Sequence, residues 1–171
     1  MLPVEVVTER LVLRQWLDED AEPLAALYRK PGYLRHMPAR DVAETREQIA
    51  RFREAWGEVG YAHWVACDRE TGRLVGRIGL LPQYDFPDPG GPVPEVGWTL
   101  DDDVWGRGLA TEGGRVALEA WREHLPEQPR LYSFTVPENR RSRAVMERLG
   151  LAYGGVGVRR GLEHVWYHLD R

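Results

Sequence analysis

Apolar and polar residues change their rhythm several times along the chain, and each change predicts an element. Between Thr8 and Trp16 the repeat is two residues: Leu11 and Leu13 point one way, Val12 and Arg14 the other, as in a half-buried strand. From Leu17 the period lengthens. Leu24, Leu27 and Tyr28 form the stripe of a helix that Asp18 or Asp20 can cap. Val42, Ile49, Phe52 and Trp56 mark a second helix from Asp41 to about Trp56, ended by Gly57 and Gly60. Tyr61 to Cys67 and Arg73 to Leu81 are strand-like around a turn at Gly72, which makes a β-hairpin. Phe86 to Pro94 is rich in proline and glycine and reads as an exposed loop. A short strand (95–100), a helix from Thr111 to about His124, a strand (129–136) and a helix closed by Gly150 follow. Leu151 to Val158 and His164 to Leu169 are the last two strand candidates. The order β-α-α-β-β-β-α-β-α-β-β predicts a seven-stranded mixed sheet flanked by helices, in the α/β (α+β mixed) class.

Composition narrows the function more than the fold. The 171 residues are expected to form one domain, 1–171, large enough to bury a core without disulfides. The formal net charge of −4 offers no general basic field, which argues against nucleic acid as the partner. One cysteine, Cys67, excludes an internal disulfide and a Cys-rich zinc site, and it reads as a small buried side chain. The first residues, MLPVEVVTERLVLRQW, do not have the form of a signal peptide. No run approaches the roughly 20 apolar residues of a membrane helix. The expected location is the cytoplasm, with no membrane partner. His164 and His168 would lie on one face of a strand but roughly 13 Å apart, too far to share a metal. No metal is expected.

The stretch VWGRGLATEG, Val104 to Gly113, places glycines directly before a helix start. The first helical N–H groups lack intrahelical partners, the macrodipole is positive there, and glycines let an anion come close. The spacing is neither that of a dinucleotide fingerprint nor that of a P-loop, so an ordinary turn and a phosphate site both remain open on these residues alone.

Three ordered stretches extend the reading. EVGWTLDDDVWGRGLATEG resembles the strand, loop and helix that hold acetyl-CoA in the GNAT N-acetyltransferase superfamily, with Trp105, Gly108 and Ala110 at the first, fourth and sixth loop positions. TERLVLRQW near the start and VPENRRSRAVMERLGL near the end are similar to the branch of bacterial ribosomal-protein serine and alanine N-acetyltransferases. Trp105 stands where Gln or Arg is usual, Leu151 where Phe is typical, and Met146 where many members outside this branch carry a catalytic tyrosine.

The resemblance implies a GNAT fold, acetyl-CoA as co-substrate and a primary amine as acceptor, either a protein N-terminus or a small molecule such as an antibiotic or polyamine. It implies a cleft where the strands at Glu95 and Leu131 splay apart. The backbone of Gly106, Arg107, Gly108, Leu109 and Ala110, with Thr111 after it, would hold the pyrophosphate; Trp98, Thr99 and Leu100 would offer backbone groups to the pantetheine arm, and Trp98 and Trp105 would line the cleft. Glu95 is the candidate base, against the reading of an ordinary strand-end acid. Asn139 would contact CoA, against a plain helix cap, and Ser142 would contact CoA and protonate the thiolate, against a plain first-turn serine. The acidic run Asp101–Asp103 is expected to be a solvated loop offset in part by Arg107. Helices from Asp18 to Trp56 and the loop Phe86–Pro94 would shape the acceptor site, and His164 and His168 lie at the surface or along the substrate. A homodimer is one arrangement the resemblance allows. The competing readings are a non-catalytic acyl-CoA-binding module and a nucleotide-binding protein.

Overall fold

The fold is that of a computed structural model, and the described residues are 1–87 and 91–171. Residues 88–90 belong to the expected exposed loop Phe86–Pro94, so for them that reading lies outside the described residues; at its ends Phe86 is buried, packed on Phe134, and Val93 and Pro94 already belong to a strand. Among the described residues one mixed sheet contains eight strands: β1 (Glu5–Val7), β2 (Leu11–Arg14), β3 (His63–Asp68), β4 (Leu74–Gln83), β5 (Val93–Leu100), β6 (Arg130–Thr135), β7 (Ala152–Arg159) and β8 (Leu162–Asp170). Their spatial order is β1-β2-β3-β4-β5-β6-β8-β7, antiparallel throughout except where β5 meets β6. The sheet thus has one strand more than the seven expected. The additional one is β1, which precedes the expected Thr8–Trp16 strand; that strand itself is shorter, β2 over Leu11–Arg14. Thr8 N–H donates to the Leu11 carbonyl (2.8 Å) and Leu11 N–H to the Thr8 hydroxyl (2.9 Å), which folds the chain back into a β1–β2 hairpin.

Five helices accompany the sheet: α1 (Ala21–Leu27), α2 (Pro31–Leu34), α3 (Val42–Glu58), α4 (Leu109–His124) and α5 (Arg140–Arg148). Asp41 and Glu44 cap α3 reciprocally, each carboxylate accepting from the other's backbone N–H at 2.8 Å. The expected cap of α1 is absent. A 3-10 turn over Asp18–Asp20 precedes that helix, and the Asp20 carboxylate is spent on Leu17 N–H (2.7 Å) and the Arg14 guanidinium (2.8 Å). Helix α4 begins at Leu109 rather than Thr111, and α2, which begins with a proline, is too short for periodicity to reveal.

Register divides the sheet into two faces. His63, Gly79 and Gly97 stand in one row across β3, β4 and β5, with Val65, Arg77 and Thr99 in the next such row. Helix α3 lies over this side, where Phe52 packs against His63 (ring centroids 5.7 Å) and under the Arg77 guanidinium. Helix α4 covers the opposite side closely, since a Cβ at Gly113 would lie 2.6 Å from the Ile78 side chain. Trp16, Trp56, Trp64 and Trp121 are all buried in the core between these layers, as their spacing suggested.

Candidate active site

Strands β5 and β6 share one register pair, Glu95 with Tyr132. Beyond it β5 runs on to Leu100 and β6 to Thr135 without further pairing among the described residues, so the sheet opens there, at the place expected from the positions of Glu95 and Leu131. Backbone direction in the opening follows from the β4 ladder. Asp101 N–H donates to the Val75 carbonyl, so Glu95, Gly97 and Thr99 also turn toward β4. Val96, Trp98 and Leu100 therefore turn toward β6. The Leu100 carbonyl accepts from the Trp105 indole (2.9 Å), and Trp98 presents both its N–H and its C=O to the gap. Of the three residues expected to offer backbone groups there, Trp98 and Leu100 face the opening. Thr99 does not, because its groups belong to the ladder with Arg77.

The loop after β5 ends in an exposed helix start. Gly108 is the N-cap of α4 at φ +79°, Gly106 has φ +76°, and no side chain caps the helix. The N–H groups of Leu109, Ala110 and Thr111 are thus the orphan donors of a 16-residue helix. A Cβ on Gly106 would meet nothing within 4 Å, and one on Gly108 only Arg10 Nη2 at 3.6 Å. Handedness of the backbone, more than lack of room, calls for glycine here. Such a terminus fits a pyrophosphate.

Side chains far away in the chain brace this loop. Glu112, in the first turn of α4, accepts from the Thr8 hydroxyl (2.5 Å), from Arg10 N–H (2.9 Å) and from the Arg10 guanidinium (2.7 Å). The same guanidinium donates to the Arg107 carbonyl at 2.6 Å. Burial works against the Glu112 charge, but these donors hold its carboxyl below the ordinary range. Arg107 itself is exposed.

Asp101–Asp103 is solvated only at its far end, since Asp103 is exposed and Asp101 is not. Asp101 is 4% exposed and receives Lys30 (2.6 Å) and Arg73 (3.0 Å), while Asp102 accepts from Gly32 N–H (3.0 Å) at the start of α2. The three carboxylates stand close enough together to hold a cation, and the Lys30 ammonium reaches all three. Lys30 and Arg73 thus take the role expected of Arg107. Trp105 lies against Gly32 on one side and has the Arg141 guanidinium 4.8 Å from its ring centre. Its side chain ties the loop to α2 and α5.

At the start of α5 the Asn139 side chain is a working cap: Oδ1 accepts from Ser142 N–H (3.2 Å) and Nδ2 donates to Thr135 Oγ1 (3.1 Å). The Ser142 hydroxyl is half-buried and makes no hydrogen bond among the described residues. Met146 is buried in the core at 1% exposure and carries no acidic proton.

Glu95 is the carboxyl that burial pushes up, where Asp68, Asp101, Glu112 and Asp170 are held low. It is 9% exposed, and burial pushes its carboxyl up to about 7 even though Gln83 Nε2 donates to it (2.6 Å) and the charges of Arg159 and Arg77 favour ionisation. Arg159 in turn donates to Gln83 Oε1 (2.9 Å), and its guanidinium lies 4.9 Å from the centre of the Phe134 ring. Tyr132, Phe134, Trp166 and His164 continue this face onto β6 and β8, and a Cβ at Gly154 would sit 2.0 Å from the Trp166 ring. His168 lies on the same face beside Trp166, so both histidines border this aromatic strip. Cys67 is buried, which pushes its thiol up. Thr8, Arg10, Glu112, Lys30 and Gln83 were not singled out by sequence reasoning. Thr8, Arg10 and Glu112 lie inside the two quoted stretches, but nothing in their spacing says that they meet.

Comparison with known proteins agrees with this arrangement. Residues 10–152 match the family profile described as an acetyltransferase (GNAT) domain. An uncharacterized protein, YkkB, of Bacillus subtilis is 28% identical over 151 residues, covering 87% of this chain and 86% of its own. An acetyltransferase from Agrobacterium tumefaciens superposes with a TM-score of 0.80 at 26% identity, over 100% of this chain and 96% of that one. A putative ribosomal-protein-serine acetyltransferase from Vibrio cholerae has the same fold, with a TM-score of 0.79 at 22% identity and 100% of both chains covered. A profile that spans most of the chain, and includes both the splayed strands and the glycine loop, places the protein in the GNAT acetyltransferase family.

Proposed function

We propose that this protein transfers acetyl from acetyl-CoA to the α-amine of a polypeptide N-terminus, with Glu95 as the base. The co-substrate supplies the activated acetyl group. The N–H groups of Leu109 to Thr111 hold its phosphates, and the Trp98 backbone holds the arm that enters between β5 and β6.

The observation that carries the reading is the place of Glu95, buried on β5 where the sheet splays open, with burial pushing its carboxyl up to about 7. An amine must lose its proton before it can attack. An α-ammonium, with an ordinary value of about 7.7–8.0, passes a proton to such a carboxylate with little penalty. A lysine-like or polyamine ammonium near 10.4 faces a gap of more than three units. Burial of Glu95 thus matches the base to the more acidic class of amine. The half-buried rings of Phe134 and Trp166 give an extended chain an aromatic surface on the same sheet face as that base. Ser142 is the proposed hydrogen-bond donor to the departing sulfur, since Met146 cannot serve and the serine hydroxyl is uncommitted. Among the described residues no helix is long and apolar enough to cross a membrane, and the proposal includes a cytoplasmic location.

The test is release of free thiol from acetyl-CoA over a panel of seryl- and alanyl-initiated peptides, the same peptides with blocked N-termini, polyamines and aminoglycosides. Release with free peptides and none with blocked ones is expected. Preference for polyamines overturns the acceptor class, and thermal stabilisation by acetyl-CoA without release from any amine leaves a binding module.

A further inference from the structure

Arg77 is a half-buried cation that meets no carboxylate among the described residues. Its Nε donates to the Tyr28 hydroxyl (2.9 Å), its Nη1 meets His63 Nδ1, and its guanidinium lies 5.7 Å from the centre of the Phe52 ring. None of these partners brings negative charge. Burial raises the pKa of the Tyr28 hydroxyl, which donates onward to Gln48 Oε1 (2.8 Å). Burial also pushes His63 down, so its ring is neutral and accepts from Arg77 at Nδ1. Other half-buried cations have acids beside them: Arg14 has Asp20, Lys30 has Asp101 and Arg159 has Asp85.

A second guanidinium acts on the same place. Arg40, half-buried in the segment after α2, joins Arg77 in favouring ionisation of the Tyr28 hydroxyl, and its Nε is buried without a partner among the described residues. The Tyr33 hydroxyl and His63 Nε2 are buried and unpartnered in the same way, with the Tyr33 ring stacked on Tyr28 at 4.4 Å. Glu95 does not balance these charges. It accepts from Gln83, and burial holds its carboxyl at about 7, so it is only part ionised at neutral pH. Unpaired charge and unmet polar groups are costly away from water, and an anion brought by the substrate relieves both.

Register gives the reach. Arg77 pairs with Thr99, Gly79 with both His63 and Gly97, and Leu81 with Glu95, which sets Arg77, His63 and Glu95 on one sheet face. The Arg77 guanidinium sits at the His63 ring, in the row two residues along β5 from Glu95, a step of roughly 7 Å. In an extended chain whose α-amine is at Glu95, the second residue carries its side-chain carboxylate about that far from the amine.

We infer that Arg77, backed by Arg40, binds the side-chain carboxylate of the acceptor's second residue, so that the substrate is a polypeptide whose free N-terminal residue is followed by aspartate or glutamate. This rests on the reading of Glu95 as the base and of a polypeptide N-terminus as the acceptor. Arg77 is a specificity residue here and takes no part in proton transfer. Tyr28 and His63 hold two of its nitrogens, which leaves Nη2 without a bond among the described residues and available to the carboxylate.

The experiment measures thiol release from acetyl-CoA over peptides that differ only at the second residue: seryl-aspartyl, seryl-glutamyl, seryl-asparaginyl and seryl-lysyl, each also with a blocked N-terminus. kcat/KM for the two acidic peptides should exceed that for the asparaginyl peptide by about tenfold or more, as for one charge-assisted hydrogen bond. R77M should bring that ratio close to parity, and R77K should keep part of it, since the charge remains while the planar fork is lost. Circular dichroism and acetyl-CoA affinity confirm that each variant is folded. The wild-type ratio needs no variant, so it decides the matter even where R77M fails to fold. Equal kcat/KM for aspartyl and asparaginyl peptides, a preference for the lysyl peptide, or a ratio unmoved in folded R77M overturns the subsite. If free seryl peptides turn over and blocked ones do not, while the ratio is at parity, only the subsite is lost; if no free peptide turns over, the polypeptide reading falls and the subsite falls with it.

Discussion

Arg10 and Glu112, 102 residues apart in the chain, meet through Nε and Nη2 on one carboxylate oxygen, both at 2.7 Å. The pair neutralises an acid that would otherwise oppose a phosphate at the start of α4, and Arg10 also pins the Arg107 carbonyl away from the loop's N–H groups. R10M should raise the Kd for acetyl-CoA about tenfold, or ~1.4 kcal/mol, with a smaller change in kcat. E112Q should restore part of that loss in the double variant. Calorimetric titration of the three proteins checks the coupling.

Gly108 separates handedness from binding. Its φ of +79° means that G108V strains the backbone and lowers Tm, by the equivalent of about 1–2 kcal/mol. Asparagine tolerates that conformation better. G108N should therefore keep most of the stability, while its side chain obstructs the phosphate and weakens acetyl-CoA at least tenfold. Melting curves with and without acetyl-CoA distinguish the two effects.

Glu95 links activity to pH in one direction and stability in the other. Turnover should rise with pH through about 7 as the carboxyl ionises, and E95Q should lose that limb along with most of kcat. For stability the sign is reversed. An unfolded glutamate ionises near 4.3, so between that pH and about 7 the folded state holds the extra proton, and stability falls as pH rises. Burial of the charge costs on the order of 3 kcal/mol by pH 8. E95Q should consequently gain stability relative to the wild type between pH 5 and pH 8, which denaturant titration at the two pH values measures.

Asn139 and Ser142 divide capping from chemistry. N139A removes the cap of α5 and should cost about 1 kcal/mol of stability. S142A leaves the capped N–H in place, so its Tm should be close to that of the wild type. If the Ser142 hydroxyl serves the departing sulfur, S142A lowers kcat by roughly 10²–10⁴-fold with acetyl-CoA affinity retained. Steady-state kinetics beside a melting curve decides the matter.

Local pattern reached the elements whose cause is local. The turn at Gly72 and the buried stripe of α3 arise within a few residues, and they are visible as spacing. Distant partners are not. Thr8 looks like the start of a strand until Glu112 and Leu11 claim its hydroxyl. Asp101–Asp103 looks solvated until Lys30 and Arg73 arrive from α2's leading edge and β4's. Glu95 could be placed at the splay by resemblance, but the elevation of its carboxyl comes from burial under other elements, with Gln83 as its hydrogen-bond partner from the facing strand. His63 carried no signal at all, since a lone histidine within an apolar strand is indistinguishable from packing.

The single bridge between Glu95 and Tyr132 has a mechanical consequence. Strands β6, β8 and β7 form a ladder of their own, connected to the larger half of the sheet by very few interstrand bonds. A pantetheine arm lying along Trp98 would act as a surrogate strand, mending the tear in the ladder. With the arm in that position, loading the co-substrate would stiffen the seam beside Glu95. Amide hydrogen exchange in β6 and β8 should slow on binding acetyl-CoA, while β3 and β4 remain as they were.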